Sequence, residues 1–287
     1  MRSAGRSHKA AVPFILAQLQ VSEDELRAQG LEAKTLTAIY NDYTNRLQEL
    51  EDIAQLVTTT LRRQQDAHAV RHRVKEPLHL LKKIIRKKKE YPDRHLDVHN
   101  YLEYINDLVG VRTLHLYKEA CHSIGEYIQQ VWELKRTPYA YVSNEQATRT
   151  RLFAASQYNV IVNDRGYEAQ HFILKVKPNR QQYLVEVQVK TLLEEGWSEI
   201  DHCIRYPDHE PNELLNRLLW LLGQFTMKAD AVASQIQALA EELHKYNHPQ
   251  AQPEVTVAQL RSHIEALPID EQEKQYLYAC LAKQTGT

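Results

Sequence analysis

In the stretch Tyr183-Leu-Val-Glu-Val-Gln-Val-Lys190, apolar and polar side chains alternate from Val185 onward. Successive side chains of a β-strand point to opposite faces of a sheet, so the stretch is predicted to be a strand with two unlike faces. Its three valines are expected to pack against helices, while Glu186, Gln188 and Lys190 share the other face. Three polar groups in a row beside a core indicate a functional site on that face.

Further strands and two helices are predicted on either side of this stretch. The strands cover 108–116, 158–162 and 168–176. Apolar residues recur in steps of three and four from Lys34 to Arg63, which predicts one long helix, and again from Leu215 to Leu243. We interpret both stripes as faces that pack into a core, with a coiled coil to a partner chain as the alternative. The predicted fold class is α/β (α+β), a mixed β-sheet flanked by long helices.

Composition excludes several classes of protein. The 287 residues carry a formal net charge of −1, so no overall basic field points to nucleic acid. Cys121, Cys203 and Cys280 are too few and too scattered for a disulfide framework. No apolar run is long enough to span a bilayer, and we expect a cytoplasmic protein without a membrane partner.

The chain is predicted to have three parts. Residues 1–33 form a variable lead-in, residues 34–246 form the main domain, and residues 247–287 form a helical tail. The segment His248-Pro-Gln-Ala-Gln-Pro253 has the composition of a linker. The two short helices expected after it are predicted to form a hairpin.

The first cluster that can carry chemistry is basic, and it runs from Arg73 through Lys75 to Lys83. Pro77 is well placed in the first turn of a helix, on which His79 and Lys83 would share a face. Cations near a helix start form a good cradle for a polyphosphate. The alternative is a solvated basic face that continues to Lys89.

The second and third clusters are acidic and aromatic. Asp107 directly precedes a predicted strand, where it could bind Mg²⁺ together with Glu186 or simply form a turn. Further along, Gly166 allows a sharp entry into a strand, and Tyr167 offers a ring on which a base could stack. Tyr167 and His171 could equally be structural. No P-loop, dinucleotide fingerprint or nucleophile elbow is present in the sequence.

Taken in order, these clusters resemble the synthetase domain of the RelA/SpoT family of alarmone enzymes, over roughly Tyr40 to Leu243. Residues 186–191 and 197–202 are similar to the family's Glu-Ile-Gln-Ile-Arg-Thr and Trp-Ala-Glu-Ile-Glu-His runs. Residues 107–112 are similar to its Asp-Leu-Ile-Gly-Val-Arg. The resemblance implies a nucleotidyltransferase-like fold and a stand-alone small alarmone synthetase, a GTP pyrophosphokinase of the stringent response.

The resemblance also implies a role for each matching residue. ATP binding would fall to Arg73, Lys75, Lys83 and Arg112. Asp107 and Glu186 would be catalytic and would hold the cofactor Mg²⁺. The acceptor nucleotide, GDP or GTP, would be bound by Tyr167, His171 and Gln188.

Departures from the family pattern cluster on the acceptor side, where Glu168-Ala-Gln170 follows Tyr167 and Pro207 stands where lysine is common. They leave two alternatives open. One is a toxin-like relative that pyrophosphorylates an adenine nucleotide or the 3′ end of tRNA. The other is a catalytically degenerate nucleotide-binding or interaction module. Such synthetases often form homo-oligomers, and the helix after Pro211 and the tail are candidate contacts for a dimer or tetramer.

Overall fold

A mixed β-sheet organises the part of the chain that the computed structural model describes, which comprises residues 9–143, 151, 153–163, 166–205, 212–247 and 256–285. Within these residues the sheet has six strands in the order β1-β2-β6-β5-β3-β4. The pairs β2/β6 and β3/β4 are parallel, and the other neighbours are antiparallel. The strands are β1 Ala69–Val74, β2 Val109–His115, β3 Tyr139–Ser143, β4 Asn159–Asn163, β5 Ala169–Val176 and β6 Tyr183–Thr191.

Helices precede, interrupt and follow the sheet. Those before or among the strands include α1 Val12–Leu19, α2 Glu23–Ala28, α3 Ala33–Asn45, α4 Leu47–Leu61, α5 Pro77–Glu90, α6 Tyr101–Tyr104 and α7 Ala120–Val131. Those after β6 include α8 Leu192–Arg205, α9 Glu213–Asn247, α10 Val257–Glu265 and α11 Glu271–Thr285. The mixed sheet flanked by helices confirms the predicted fold class.

One face of the sheet lies in the main core. Val185 and Val187 on β6 are 0% exposed, and Val189 is 1% exposed. They belong to one apolar cluster with buried side chains of α3, α4, α5 and α7, such as Leu36 and Ile124. The predicted division of β6 into an apolar and a polar face is therefore confirmed. Because this face is filled by helices, the opposite face carries the polar residues.

The helix predicted from Lys34 to Arg63 is two helices. α3 ends at Asn45 and α4 begins at Leu47, with Arg46 in a turn between them. The Arg46 amide donates to the carbonyl of Tyr43, three residues back, and its side chain bonds Asp42. A side-chain pattern with steps of three and four runs through such a break unchanged, because only one residue departs from helical hydrogen bonding.

Two strands were not predicted from the sequence. β1 reads Ala-Val-Arg-His-Arg-Val, and only Val70 in it is fully buried. It is the edge strand next to β2, and its two arginines are exposed while three other residues are only partly buried, so the apolar signal is weak. In β3, the residues that face the polar side of the sheet are two tyrosines. Because tyrosine is itself partly apolar, the strand shows no clear alternation of apolar and polar residues in the sequence.

The apolar stripe of α9 was wrongly expected to be a core stripe over its first half. Leu218 is 52% exposed and Phe225 is 64% exposed, whereas Leu219 and Met227 are buried. α9 packs on α8, where the Trp197 indole donates to the Leu219 carbonyl, and its later turns pack on α10. The sequence pattern therefore gives the helix correctly but misplaces the face that contacts the rest of the chain.

The C-terminal helices form a small separate cluster. Leu260 and Ile264 of α10 and Leu281 of α11 pack together, with Leu239 and Leu243 of α9 against them. The predicted linker at His248–Pro253 lies outside the described residues. Among the helices described, none is long and apolar enough to cross a membrane.

Candidate active site

Strand register aligns polar residues from four strands on the face opposite the core. Arg71 of β1 is opposite Arg112 of β2, which is opposite Gln188 of β6, which is opposite His171 of β5. Two residues away on each strand, Arg73, Gly110 and Glu186 form a second row that runs parallel to the first. Opposed residues share a face, so the two rows form one polar floor. A cleft over the floor is lined by Arg71, His72, Arg73, Gly110, Val111, Arg112, Glu186 and Gln188.

Asp107 lies at the entrance to β2 and is held by two lysines. Its Oδ2 atom is 3.1 Å from Nζ of Lys75 and 2.6 Å from Nζ of Lys83. Burial raises the pKa of Asp107, but the two ammonium groups outweigh it and keep that pKa below its ordinary value. Lys75 comes from the end of β1 and Lys83 from α5, so this pairing joins the predicted basic and acidic clusters.

α5, which begins at Pro77, carries Lys83 near its middle. Pro77 occupies the first turn of the helix, as its sequence position predicted, because proline has no amide hydrogen to lose there. His79, on the same helix, is exposed and lies 3.9 Å from Glu76. Of these two residues, Lys83 reaches Asp107 in the site, whereas His79 lies near the exposed carboxylate of Glu76.

Glu186 projects from the centre of β6 onto the polar floor. Its side chain is 23% exposed, and its Oε1 atom is 3.6 Å from Nδ1 of His171. Gln188 donates to its other oxygen over 3.4 Å. Burial raises the pKa of Glu186, as does Asp107, yet the neighbouring His171 side chain outweighs both and holds that pKa below its ordinary value. Glu186 is thus an ionised carboxylate at neutral pH, close enough to Asp107 to interact with it electrostatically.

Two arginines flank the carboxylates. Arg73 is an exposed residue of β1, and its side chain crosses Gly110, where an added Cβ would come within 3.6 Å of its Cγ. Arg112 is more enclosed, and its NH1 atom bonds Glu195 at 2.8 Å and Glu199 at 2.5 Å. Burial lowers the pKa of Arg112, but both carboxylates together raise it above its usual value.

The aromatic side of the site surrounds Tyr167. Its hydroxyl is 2.9 Å from Nε2 of His171, and its ring packs against Tyr141 and Trp197. Gly166, with a φ of 83°, makes the turn before it. The Asn163 side chain secures this turn, because it accepts from the Tyr167 amide and donates to the Tyr167 carbonyl.

Sequence reasoning singled out residues 197–202 of α8 but missed Glu195, through which this helix closes one end of the floor. Lys190, the third polar residue of β6, is 4% exposed and forms an ion pair of 2.8 Å with Glu195 of α8. Glu195 also binds Arg112, so α8 is tied to two strands at once. The available signal was helical spacing, since Glu195 precedes Glu199 by one turn. Tyr141 was missed because its strand was missed.

The fit to Mg²⁺ depends on two carboxylates. Asp107 Oδ1 is buried and has no hydrogen-bond partner among the described residues. Within the same residues, no group of three or more His, Cys, Asp or Glu side chains is arranged to hold a metal ion. Mg²⁺ commonly uses only one or two protein carboxylates and takes its remaining ligands from water and substrate phosphates. The donor set therefore suits a metal that arrives with a polyphosphate.

The structure thus brings together the predicted residues Arg73, Lys75, Lys83, Asp107, Arg112, Tyr167, His171, Glu186 and Gln188. Pro207, which the sequence analysis singled out, lies outside the described residues.

Comparison with known proteins identifies the same region. Residues 72–211 match the family described as "Region found in RelA / SpoT proteins". Among solved structures, small alarmone synthetase 1 from Bacillus subtilis matches with a TM-score of 0.50 and 18% identity, over 70% of this chain and 95% of that one. The protein smu.1046c from Streptococcus mutans UA159 matches with a TM-score of 0.51 and 19% identity, over 71% and 96%. A comparison with curated proteins found no match.

Proposed function

Because the chain belongs to the RelA/SpoT family through residues 72–211, we propose that it is a nucleotide pyrophosphokinase. It transfers the terminal diphosphate of ATP to the 3′-hydroxyl of GDP or GTP and so makes an alarmone. The observation that carries this proposal is the convergence on one polar floor of Asp107 with its two lysines, Glu186, and the arginines of β1 and β2.

The charge pattern suits diphosphate transfer. This chemistry needs neutralisation and alignment of a polyphosphate more than covalent help from the protein. Lys75 and Lys83 are paired with Asp107, so they can turn toward phosphate oxygens when a metal takes over that carboxylate. Arg73 lies exposed above Gly110, where it can cover the adenine or the phosphates of ATP.

Mg²⁺, held by Asp107 and Glu186, would supply the positive charge that neutralises the transferred diphosphate. The chain's own residues account for the other requirements. Glu186 is ionised and partly exposed, so it can accept the proton of the 3′-hydroxyl. Tyr167 and Gln188 line the acceptor side, where the ring of Tyr167 offers a surface for the base.

A labelled acceptor screen tests the proposal. Purified protein is incubated with Mg²⁺ and ATP labelled in its terminal phosphates, together with GDP, GTP, GMP, an adenine nucleotide or tRNA. We expect label in a guanine nucleotide that carries a new 3′-diphosphate. Failure to label any acceptor, despite tight ATP binding, would contradict the proposal and favour a degenerate nucleotide-binding module.

Glu186→Gln is the matched variant, because it removes the charge but keeps the shape of a side chain that is only partly buried. We expect product formation to fall by about 100-fold or more, with the folded state retained by circular dichroism and thermal unfolding. Glu241→Gln, on the exposed surface of α9, is the control for loss of one carboxylate. Full activity in Glu186→Gln would remove the basis of the site assignment.

A second candidate acceptor is the 3′ end of an RNA, and one surface favours it. Arg94 lies 4.6 Å from the ring centre of Tyr91 and 5.0 Å from that of Tyr104, and both rings are substantially exposed. The basic end of α5, including Lys87, lies beside Tyr91. Cations interleaved with aromatic rings suit single-stranded nucleic acid. Label in tRNA, with none in free guanine nucleotide, would favour this acceptor.

A further inference from the structure

Glu168, the residue after Tyr167, departs from the family pattern and takes no part in the proposed chemistry. Its side chain is 11% exposed, and its Oε2 atom lies 3.0 Å from Nζ of Lys118, whose side chain is 7% exposed. The two residues therefore form an ion pair inside the protein. Both line a small cavity that is distinct from the cleft over the polar floor.

The ion pair connects two stretches of chain that the sheet does not join directly. Lys118 follows the end of β2 at His115, and Glu168 directly precedes β5. β2 and β5 are the two neighbours of β6, so they do not bond to each other. The pair therefore spans the end of β6 and ties the turn at Tyr167 to the segment that leaves β2.

Helix α9 holds the lysine end of the pair in place. The Lys118 amide donates to Oγ of Ser234 over 3.1 Å. One turn earlier on the same helix, Asp230 accepts from the hydroxyl of Thr191, the last residue of β6, over 2.7 Å. The backbone from which the Lys118 side chain extends is therefore fixed to α9 and, through α9, to the sheet.

Burial makes the two charges depend on each other. Removing an ion from water is costly, and a buried pair offsets that cost only while both partners are present. The other oxygen of Glu168, Oε1, is buried and has no hydrogen-bond partner among the described residues. Without the ammonium group of Lys118, the carboxylate would therefore move toward water, and the backbone after Tyr167 would move with it.

We propose that the Lys118–Glu168 ion pair positions the Tyr167 ring for the acceptor base. Gly166 and the Asn163 side chain fix the turn before the ring, and the ion pair fixes the backbone directly after it. Both members are positioning residues, because they act on the substrate only through Tyr167. The proposal rests on the proposed function, which supplies the base that stacks on the ring. The pair should therefore determine the affinity for the acceptor and leave the affinity for ATP unchanged.

A double-mutant cycle with steady-state kinetics tests the pair. Lys118→Met and Glu168→Gln each break it, and we expect each to raise the acceptor KM about tenfold, with the ATP KM within about twofold. The double variant leaves no buried charge from the pair, so its acceptor KM should rise by less than the product of the single effects. Should a single variant not fold, the double variant alone is tested, and its acceptor KM should still exceed that of the wild type.

The cycle separates positioning from a structural role. A structural pair would lower stability and leave both KM values alone or raise them equally, and either result would overturn the proposal. Lys175→Met is the matched control, since Lys175 on β5 pairs with Glu133, whose side chain is 72% exposed. Loss of such a surface pair should leave both KM values within about twofold of the wild type.

Fluorescence of Trp197 tests the positioning without turnover. Its ring lies 6.4 Å from the Tyr167 ring, and the residue is 6% exposed. Trp132→Phe and Trp220→Phe leave it as the only tryptophan of the chain. In this background, displacement of the Tyr167 ring by Lys118→Met should raise the acrylamide quenching constant, and the surface control should not. An unchanged constant would count against the positioning role, whereas a raised constant in a protein that labels no acceptor would count against the proposed function alone.

Discussion

At the residue scale, the site holds its opposite charges in pairs. Asp107 binds two lysines, Arg112 binds two glutamates, and Lys190 binds Glu195. Removing one member of such a partly buried pair leaves an uncompensated charge, which is costly. The pairs therefore keep the cations and carboxylates in place before a substrate arrives.

Glu194 differs from these residues because it is a buried acid that the proposed chemistry does not use. It is 2% exposed, and its Oε1 atom has no hydrogen-bond partner among the described residues. Burial, reinforced by Glu168 and Asp230, raises its pKa from the ordinary range of a carboxyl group to about 8. The folded protein therefore holds a proton at neutral pH that the unfolded chain releases.

This proton predicts a pH dependence of stability. Because the folded-state pKa is raised, the free energy of unfolding should fall as pH rises from about 4.5 to about 8 and then level off. Glu194→Gln keeps the shape and cannot ionise, so we expect it to be more stable than the wild type at pH 9, with the difference shrinking toward pH 5.

Denaturant titrations at pH 5, 7 and 9 measure this effect. Glu241→Gln serves again as the exposed control and should follow the wild type at all three values. If Glu194→Gln and the wild type lose stability in parallel between pH 5 and pH 9, Glu194 is not the group responsible.

At the scale of single elements, the turn from Gly166 into β5 determines where Tyr167 lies. Gly166 has a φ of 83°, a backbone conformation that residues with a Cβ adopt only at a cost. An added Cβ would also touch the Met227 side chain of α9 at 3.4 Å, which is an ordinary contact. The strain therefore comes from the backbone rather than from crowding.

Gly166→Ala should lower the free energy of unfolding by about 1–2 kcal/mol and raise the acceptor KM, because the turn would shift Tyr167. Urea denaturation and steady-state kinetics measure the two effects. Gly196→Ala is the matched control, since Gly196 is an exposed residue in the middle of α8 and has open space where its Cβ would lie. It should stabilise the protein by about 0.5–1 kcal/mol. Equal effects from both substitutions would contradict the role of the turn.

At the scale of the whole molecule, exposed apolar side chains concentrate on α8 and the first half of α9. Leu214, Leu218 and Phe225 are 68%, 52% and 64% exposed, and they recur at helical spacing with Leu221. Exposed apolar surface of this kind commonly marks a contact with another chain. The expected homo-oligomer, a dimer or a tetramer, therefore has a specific candidate face.

Leu218→Glu should dissociate such an oligomer, because it places a charge at the centre of the contact. Light scattering after size exclusion measures the mass, and we expect it to fall to that of one chain of 33.5 kDa. Leu56→Glu is the control, since Leu56 on α4 is 50% exposed and lies outside this face. A wild type that is already monomeric at high concentration would contradict the assignment.

The sequence by itself determined the strands and helices with clear periodicity, and it proposed most of the residues that line the polar floor. The alternation of β6 depends on a two-residue repeat, which is local, and so it placed Glu186 and Gln188 on the polar face, where they line the cleft. Asp107 and Lys83 were proposed from short motifs, because a carboxylate can bind Mg²⁺ and a lysine can bind phosphate.

Only the tertiary structure decided which of these residues meet. The pairing of Asp107 with Lys75 and Lys83, the bond between Tyr167 and His171, and the closure by α8 join residues that are distant along the chain. Strand order and register create those contacts, and no local pattern encodes them. Likewise, the packing of α9 on α8 buries Leu219 and Met227 and leaves Leu218 and Phe225 exposed, which the apolar spacing of the helix alone did not predict.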